Sequence, residues 1–143
     1  MNMKLKLARV LSTAGLMMAA AFASAEVVVI VNANSSINSA TADEIQQVFL
    51  GKRNEIGGVS VTAVDQAEGN EARKEFYQKV VDKTPAQLNA YWSRLIFTGK
   101  GKPPKQYFDD AEVVETLLEE EDAVGYIDSS AVTEGIKVIY TAQ

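Results

Sequence analysis

The run Val27-Val28-Val29-Ile30-Val31 is continuous, apolar and β-branched, the pattern of a strand buried on both faces, as in a mostly parallel sheet. A polar turn rich in asparagine and serine follows at 32–38. Thr41-Ala42-Asp43-Glu44 has the capping-box form and opens a short helix. Ile45, Val48 and Phe49 give that helix its buried side, and Gly51 ends it. Residues 52–58 read as a loop, and 59–64 alternates well enough for a second strand. The spacing then predicts a helix over about 70–81, with Ala72, Phe76, Tyr77 and Val80 facing inward. Thr84-Pro85 is a cap followed by a first-turn proline. The next helix carries Leu88, Tyr91, Trp92, Leu95 and Ile96 as its inward stripe, and two glycines and two prolines break it over 98–104. A further helix over about 109–121 places Val113, Val114, Leu117 and Leu118 inside. Residues 123–127 and 136–140 read as closing strands. The pattern is one α/β domain, helices packed around a mixed sheet, with no internal repeat, linker or low-complexity tail.

The first 25 residues stand apart from this pattern. Lys4, Lys6 and Arg9 precede an apolar stretch over 10–22, and Ala23-Ser24-Ala25 supplies a small-residue cleavage site. We expect a signal peptide over 1–25, cleaved after Ala25, and a mature domain over 26–143 located in the periplasm. The apolar stretch is too short to span a bilayer comfortably, so no membrane anchor is expected. Loss of its three cations takes the formal charge from −5 to −8. An acidic domain of this kind is a poor partner for nucleic acid or anionic lipid, and an anion site within it must act locally. The chain has no cysteine and no histidine. Thiol nucleophiles, Ser-His-Asp machinery and the usual zinc ligands are thereby excluded, so neither an enzyme, a metal nor a cofactor is expected.

Residues 64–76, Val-Asp-Gln-Ala-Glu-Gly-Asn-Glu-Ala-Arg-Lys-Glu-Phe, read as a strand end, a glycine turn and a helix start. There, backbone N–H groups and the helix dipole can together hold an anion. The segment resembles the phosphate-binding stretch of the periplasmic phosphate-binding proteins of ABC phosphate transporters, in which valine, Arg-Ser-Asp-Gly-Ser-Gly-Thr and phenylalanine follow in order. Three more segments agree in sequence order: 27–32, 41–52 with its Ile-x-x-Val-Phe-Leu-Gly-Lys core, and Ala123-Val124-Gly125-Tyr126-Ile127. Residues 91–104 resemble small stand-alone proteins named phosphate ABC transporter substrate-binding proteins. The resemblance implies a single periplasmic-binding-protein-like (type II) lobe, α/β, with a mixed, mostly parallel sheet flanked by helices. It covers nearly all of 26–143 but one lobe of a two-lobe family. It departs from the family at Gln66, which stands at the arginine position, and at Asn70, Glu71 and Ala72, which replace Ser-Gly-Thr.

The candidate ligand residues are Gly69, Asn70 and Glu71 at the helix start, with Gln66 as a neutral donor and Arg73 as a substitute cation one turn on. Ser35 and Ser36 join them because open α/β sheets place ligand contacts beyond strand carboxyl ends. The helical neighbours of Arg73 hold no acid, so a solvent-facing position or a pairing with a carboxylate distant in sequence are its alternatives. By resemblance the ligand is phosphate or another small oxyanion, with an ABC permease or periplasmic sensor as partner and a homodimer as a route to a closed cleft. The alternative is a ligand-less interaction module that docks on a sensor or envelope complex. The lysines of 100–105 form a candidate docking edge.

Overall fold

The computed structural model describes residues 26–143, so the signal-peptide assignment lies outside the described residues. Strand β1 (Val27–Asn32) is buried along its whole length. Its alternate side chains enter two cores, as period-2 geometry requires. Val27, Val29 and Val31 face one layer, and Val28 and Ile30 face the other. Helix α1 (Ala42–Phe49) starts at the complete capping box of Thr41 and Glu44. A two-stranded hairpin follows, β2 (Glu55–Ile56) with β3 (Val59–Ser60). Its turn is Gly57-Gly58, at φ 57° and 81°, a conformation that side chains with a Cβ resist. This hairpin was not expected from the sequence, and it shortens the proposed 59–64 strand. Val61 is buried there, and β4 (Thr62–Gln66) runs on two residues further than expected.

Helix α2 (Glu71–Phe76) continues as one π-helical turn over Tyr77–Val81, ended by Asp82 in the left-handed region at φ 57°. Phe76, Tyr77 and Val80 are buried, as the spacing predicts. Helix α3 (Pro85–Phe97) has its own capping box, Thr84 with Gln87. Its predicted stripe is narrower than expected. Leu88 and Trp92 are buried and Tyr91 and Leu95 are half-buried, whereas Ile96 is 56% exposed. β5 (Lys105–Tyr107), unpredicted, follows the glycine-proline break. α4 (Asp110–Glu119) buries Val113, Val114 and Leu117 but leaves Leu118 outside. β6 (Ala123–Asp128) leads through a 3₁₀ turn, Ser129–Ala131, to β7 (Ile136–Thr141).

The sheet order is β5-β4-β6-β1-β7. β4 runs parallel to β5 and β6, while β1 runs antiparallel to both β6 and β7. Four strands therefore point one way and β1 alone opposes them. Helices α1, α2 and α3 cover one face, around Phe49, Phe76, Trp92 and Tyr126, and α4 covers the other. Gly125 lets α4 approach. A Cβ there would lie 2.8 Å from Val113 Cγ1 and 2.9 Å from Val64 Cγ2, too close to accept without repacking.

Candidate functional site

Because β4, β5 and β6 are parallel, their carboxyl ends share one sheet edge. The start of α2, the start of α4 and the 3₁₀ turn all begin there, in the position where open α/β folds take ligands. A cleft of about 900 Å3 opens at this edge, between Gln66, Asn70 and Glu71 on one side and Asp109, Asp110 and Asp128 on the other.

Beneath it lies a buried charge network built on Asp65, at the penultimate position of β4. Its Oδ2 accepts hydrogen bonds from Arg73 Nη1 at 2.7 Å and from the Tyr77 hydroxyl at 2.6 Å. Its Oδ1 accepts from the Gln66 amide and from the Tyr126 hydroxyl. Arg73 also donates to the Gln66 carbonyl at 2.9 Å and lies over the Tyr77 ring, 4.8 Å from its centroid. Burial works most strongly against the charge on Arg73, but Asp65, Tyr77 and Tyr126 together outweigh it and the guanidinium pKa is raised. Burial, reinforced by the adjacent Asp65 charge, pushes the Tyr77 and Tyr126 hydroxyls far above their ordinary range. Phe76 stacks on Tyr126 with centroids 3.9 Å apart, completing a rigid floor. Of the two alternatives for Arg73, its carboxylate partner is thus Asp65, eight residues back across the glycine turn.

Gln66 is buried, and its side-chain amide donates to Asp110 Oδ1 at 2.6 Å and to the Tyr126 carbonyl at 2.8 Å. Both amide hydrogens are thereby used inside the protein. Asn70 donates to the Phe108 carbonyl at 2.8 Å and to Gln66 Oε1 at 3.3 Å, tying the β4–α2 turn to the segment before α4. Gly69 takes φ 92°, which permits that turn.

The helix starts differ in how their amides are satisfied. Thr41, Thr84 and Asp109 cap α1, α3 and α4, and Asp128 caps the 3₁₀ turn. Asn70 makes no side-chain cap bond to α2. The first-turn amides of α2, at Glu71, Ala72 and Arg73, therefore have neither an intrahelical acceptor nor a side-chain cap. Carboxylates surround this opening. Glu71, Asp109, Asp110, Glu115 and Asp128 line the cleft, with no lysine or arginine among its lining residues.

Ser35 and Ser36 lie elsewhere. β1 is the reversed strand, so its carboxyl end sits at the opposite sheet edge from Gln66 and Asn70. There Ser35 Oγ accepts from the Ile37 amide and Lys137 Nζ bonds the Ser35 carbonyl. The structure brings Gln66, Gly69, Asn70, Glu71 and Arg73 together and leaves both serines at the opposite end of the strands. β1 is the one strand whose direction sets its carboxyl end apart from those of β4, β5 and β6. Asp65, Tyr77, Tyr126 and Asp110 were missed as parts of the site. The available signal was a polar pair, Asp65-Gln66, closing an apolar strand.

Comparison with models of known protein families and with curated protein sequences finds no match. Among solved structures, an ABC-type phosphate transport receptor from Vibrio cholerae superposes with a TM-score of 0.65 at 13% identity, over 80% of this chain and 45% of that one. A putative phosphate ABC transporter substrate-binding protein from Clostridium perfringens, solved with bound phosphate, gives 0.61 at 15% identity, over 80% and 44%. PstS from Borrelia burgdorferi gives 0.61 at 12%, over 80% and 46%. The chain spans less than half the length of these structures. It shares its fold with one part, a single lobe, of the phosphate ABC-transporter substrate-binding proteins.

Proposed function

We propose that this protein is a non-enzymatic periplasmic solute-binding-type domain that holds phosphate, or another small oxyanion, at the start of α2. The observation that carries this reading is the uncapped first turn of α2, opening into the cleft at the carboxyl edge of β4 and β6. The fold likeness to phosphate receptors supports it. Amides of Glu71, Ala72 and Arg73 supply the donors. Gln66 and Asn70 hold the turn in place rather than contacting the ligand, since their amide hydrogens are already used. Arg73 acts through Asp65, as part of the floor.

The carboxylates lining the cleft set the ligand's charge. Each unit charge at about 7 Å disfavours an incoming anion by about 2 kcal/mol at an effective dielectric constant near 20, and by less in full contact with water. A dianion suffers twice the repulsion of a monoanion. The site should therefore prefer singly charged dihydrogen phosphate to sulfate, and bind phosphate more tightly as pH falls. Calorimetric titration of phosphate and sulfate at pH 6 and pH 8 checks this. The expected result is modest saturable binding of phosphate, stronger at pH 6, with sulfate weaker at both. Sulfate binding as tight as phosphate, or silence with both from a folded sample, would overturn the reading. A role in uptake or sensing follows if a permease or sensor, or a second copy, closes the cleft.

One observation favours a second reading, a docking module without a small ligand. Phe108, whose carbonyl accepts from Asn70 and which precedes the cleft-lining Asp109, is 73% exposed, and the adjoining lining is acidic. An apolar knob beside a carboxylate field suits a basic, partly apolar protein surface. Stable capture of a basic protein partner by a sample that is silent with every anion would select this reading over the first.

A further inference from the structure

The charge of the domain is unevenly placed. Residues 93–105, Ser-Arg-Leu-Ile-Phe-Thr-Gly-Lys-Gly-Lys-Pro-Pro-Lys, contain Arg94, Lys100, Lys102 and Lys105 and no acid. The formal charge over 26–143 is −8, so these thirteen residues carry +4 and the remainder −12. The structure adds what the sequence left open. The last turn of α3 turns two large apolar side chains outward at this point, Ile96 at 56% and Phe97 at 92% exposure. More cations converge on the flank of the same helix. Lys52 Nζ, Lys83 Nζ and Arg94 Cζ lie 6.0, 5.6 and 5.8 Å from the centroid of the half-buried Tyr91 ring. Among the described residues, the ion pairs are Arg53–Glu44, Arg73–Asp65 and Lys79–Glu75. Lys52, Lys83, Arg94, Lys100 and Lys102 take part in none of them.

We propose that the end of α3 and the following loop form a peripheral contact with an anionic lipid surface, Phe97 and Ile96 entering the headgroup boundary and the cations facing lipid phosphates. Two features favour lipid over a folded partner. The apolar residues project from a helix end, as an inserting wedge must. Lys100 and Lys102 stand on long stems in a glycine-proline loop, which suits a diffuse layer of charge better than a fixed pattern of acceptors. Charge complementarity sets the orientation. The acidic remainder is repelled by the same surface, so this end alone is turned toward it. The expectation that an acidic domain avoids anionic lipid rests on its net charge, which this one face does not share. The contact is independent of the oxyanion cleft, which lies at the starts of α2 and α4.

Co-sedimentation of the protein spanning 26–143 with vesicles tests the proposal. The comparison is between pure phosphatidylcholine and phosphatidylcholine with about one-third phosphatidylglycerol. The expected result is selective pelleting with the anionic vesicles, abolished near 1 M salt, where the Debye length falls to about 3 Å. Phe97→Ser and the double change Lys100→Glu with Lys102→Glu should each weaken partitioning about ten-fold. All three positions are exposed, so unchanged circular dichroism will verify folding. Equal pelleting with both vesicle types, or none with either, overturns the proposal. Binding that survives Phe97→Ser but not the charge reversal also overturns it, because apolar insertion is then absent.

Discussion

Asp65 decides what the rest of the site can be. A carboxylate with about 2% exposure is tolerated only where its charge is matched and its lone pairs are used. Arg73, Tyr77, Tyr126 and the Gln66 amide supply those partners. This arrangement was only half legible in the sequence. The helical neighbours of Arg73 hold no acid, and its partner sits on a strand across a turn, beyond any fixed helical spacing. The two tyrosines carry a pH signature. Burial raises both hydroxyls above their unfolded value of about 10, so below that pH both states hold the proton and no stability is lost. Above it the unfolded chain gives up protons that the folded state retains, and stability falls with rising pH. Each tyrosine contributes about 1.4 kcal/mol per pH unit to that slope. Tyr126→Phe should cost about 1.5–3 kcal/mol at pH 7, since Asp65 loses a donor, and should remove one tyrosine's share of the alkaline slope. Urea unfolding between pH 7 and 11 measures both.

At the scale of elements, helices with strong local signals were legible and short strands were not. Thr41 with Glu44 and Thr84 with Gln87 form capping boxes, and these ends are written in four adjacent residues each. Thr84→Ala should therefore destabilise the fold by about 1 kcal/mol, a change read from the urea midpoint with its slope unaltered. β5 holds Lys105, Gln106 and Tyr107, which have no apolar alternation. It exists because β4 offers it an open edge, with Val64, Asp65 and Gln66 as partners. The β2–β3 hairpin rests on the left-handed backbone of Gly57 and Gly58 and on only two residues per strand, too short for a period to show. Ile96 and Leu118 fit their helical stripes by spacing, yet each lies beyond what the sheet covers. Spacing defines a face, and only the neighbouring layer decides how far along the helix that face is buried.

For the whole molecule, strand direction governs where the candidate site lies. The apolar run of β1 correctly signalled burial on both faces, but nothing in it reveals that β1 opposes the other four strands. That reversal moves Ser35 and Ser36 to the far edge and confines the candidate site to the β4–α2 turn and the start of α4. The same topology separates an acidic cleft from a cationic, apolar helix end, so one small acidic domain presents two surfaces of opposite character. We propose above that the open first turn of α2 holds the oxyanion, and residue-resolved amide NMR during phosphate titration at pH 6 reads that turn amide by amide. The expected result is saturating shifts centred on Glu71, Ala72 and Arg73, smaller ones at Gly69 and Asn70, and none at Ser35 and Ser36. Saturating shifts centred on any other part of the molecule, or an unmoved spectrum at high phosphate, would contradict it.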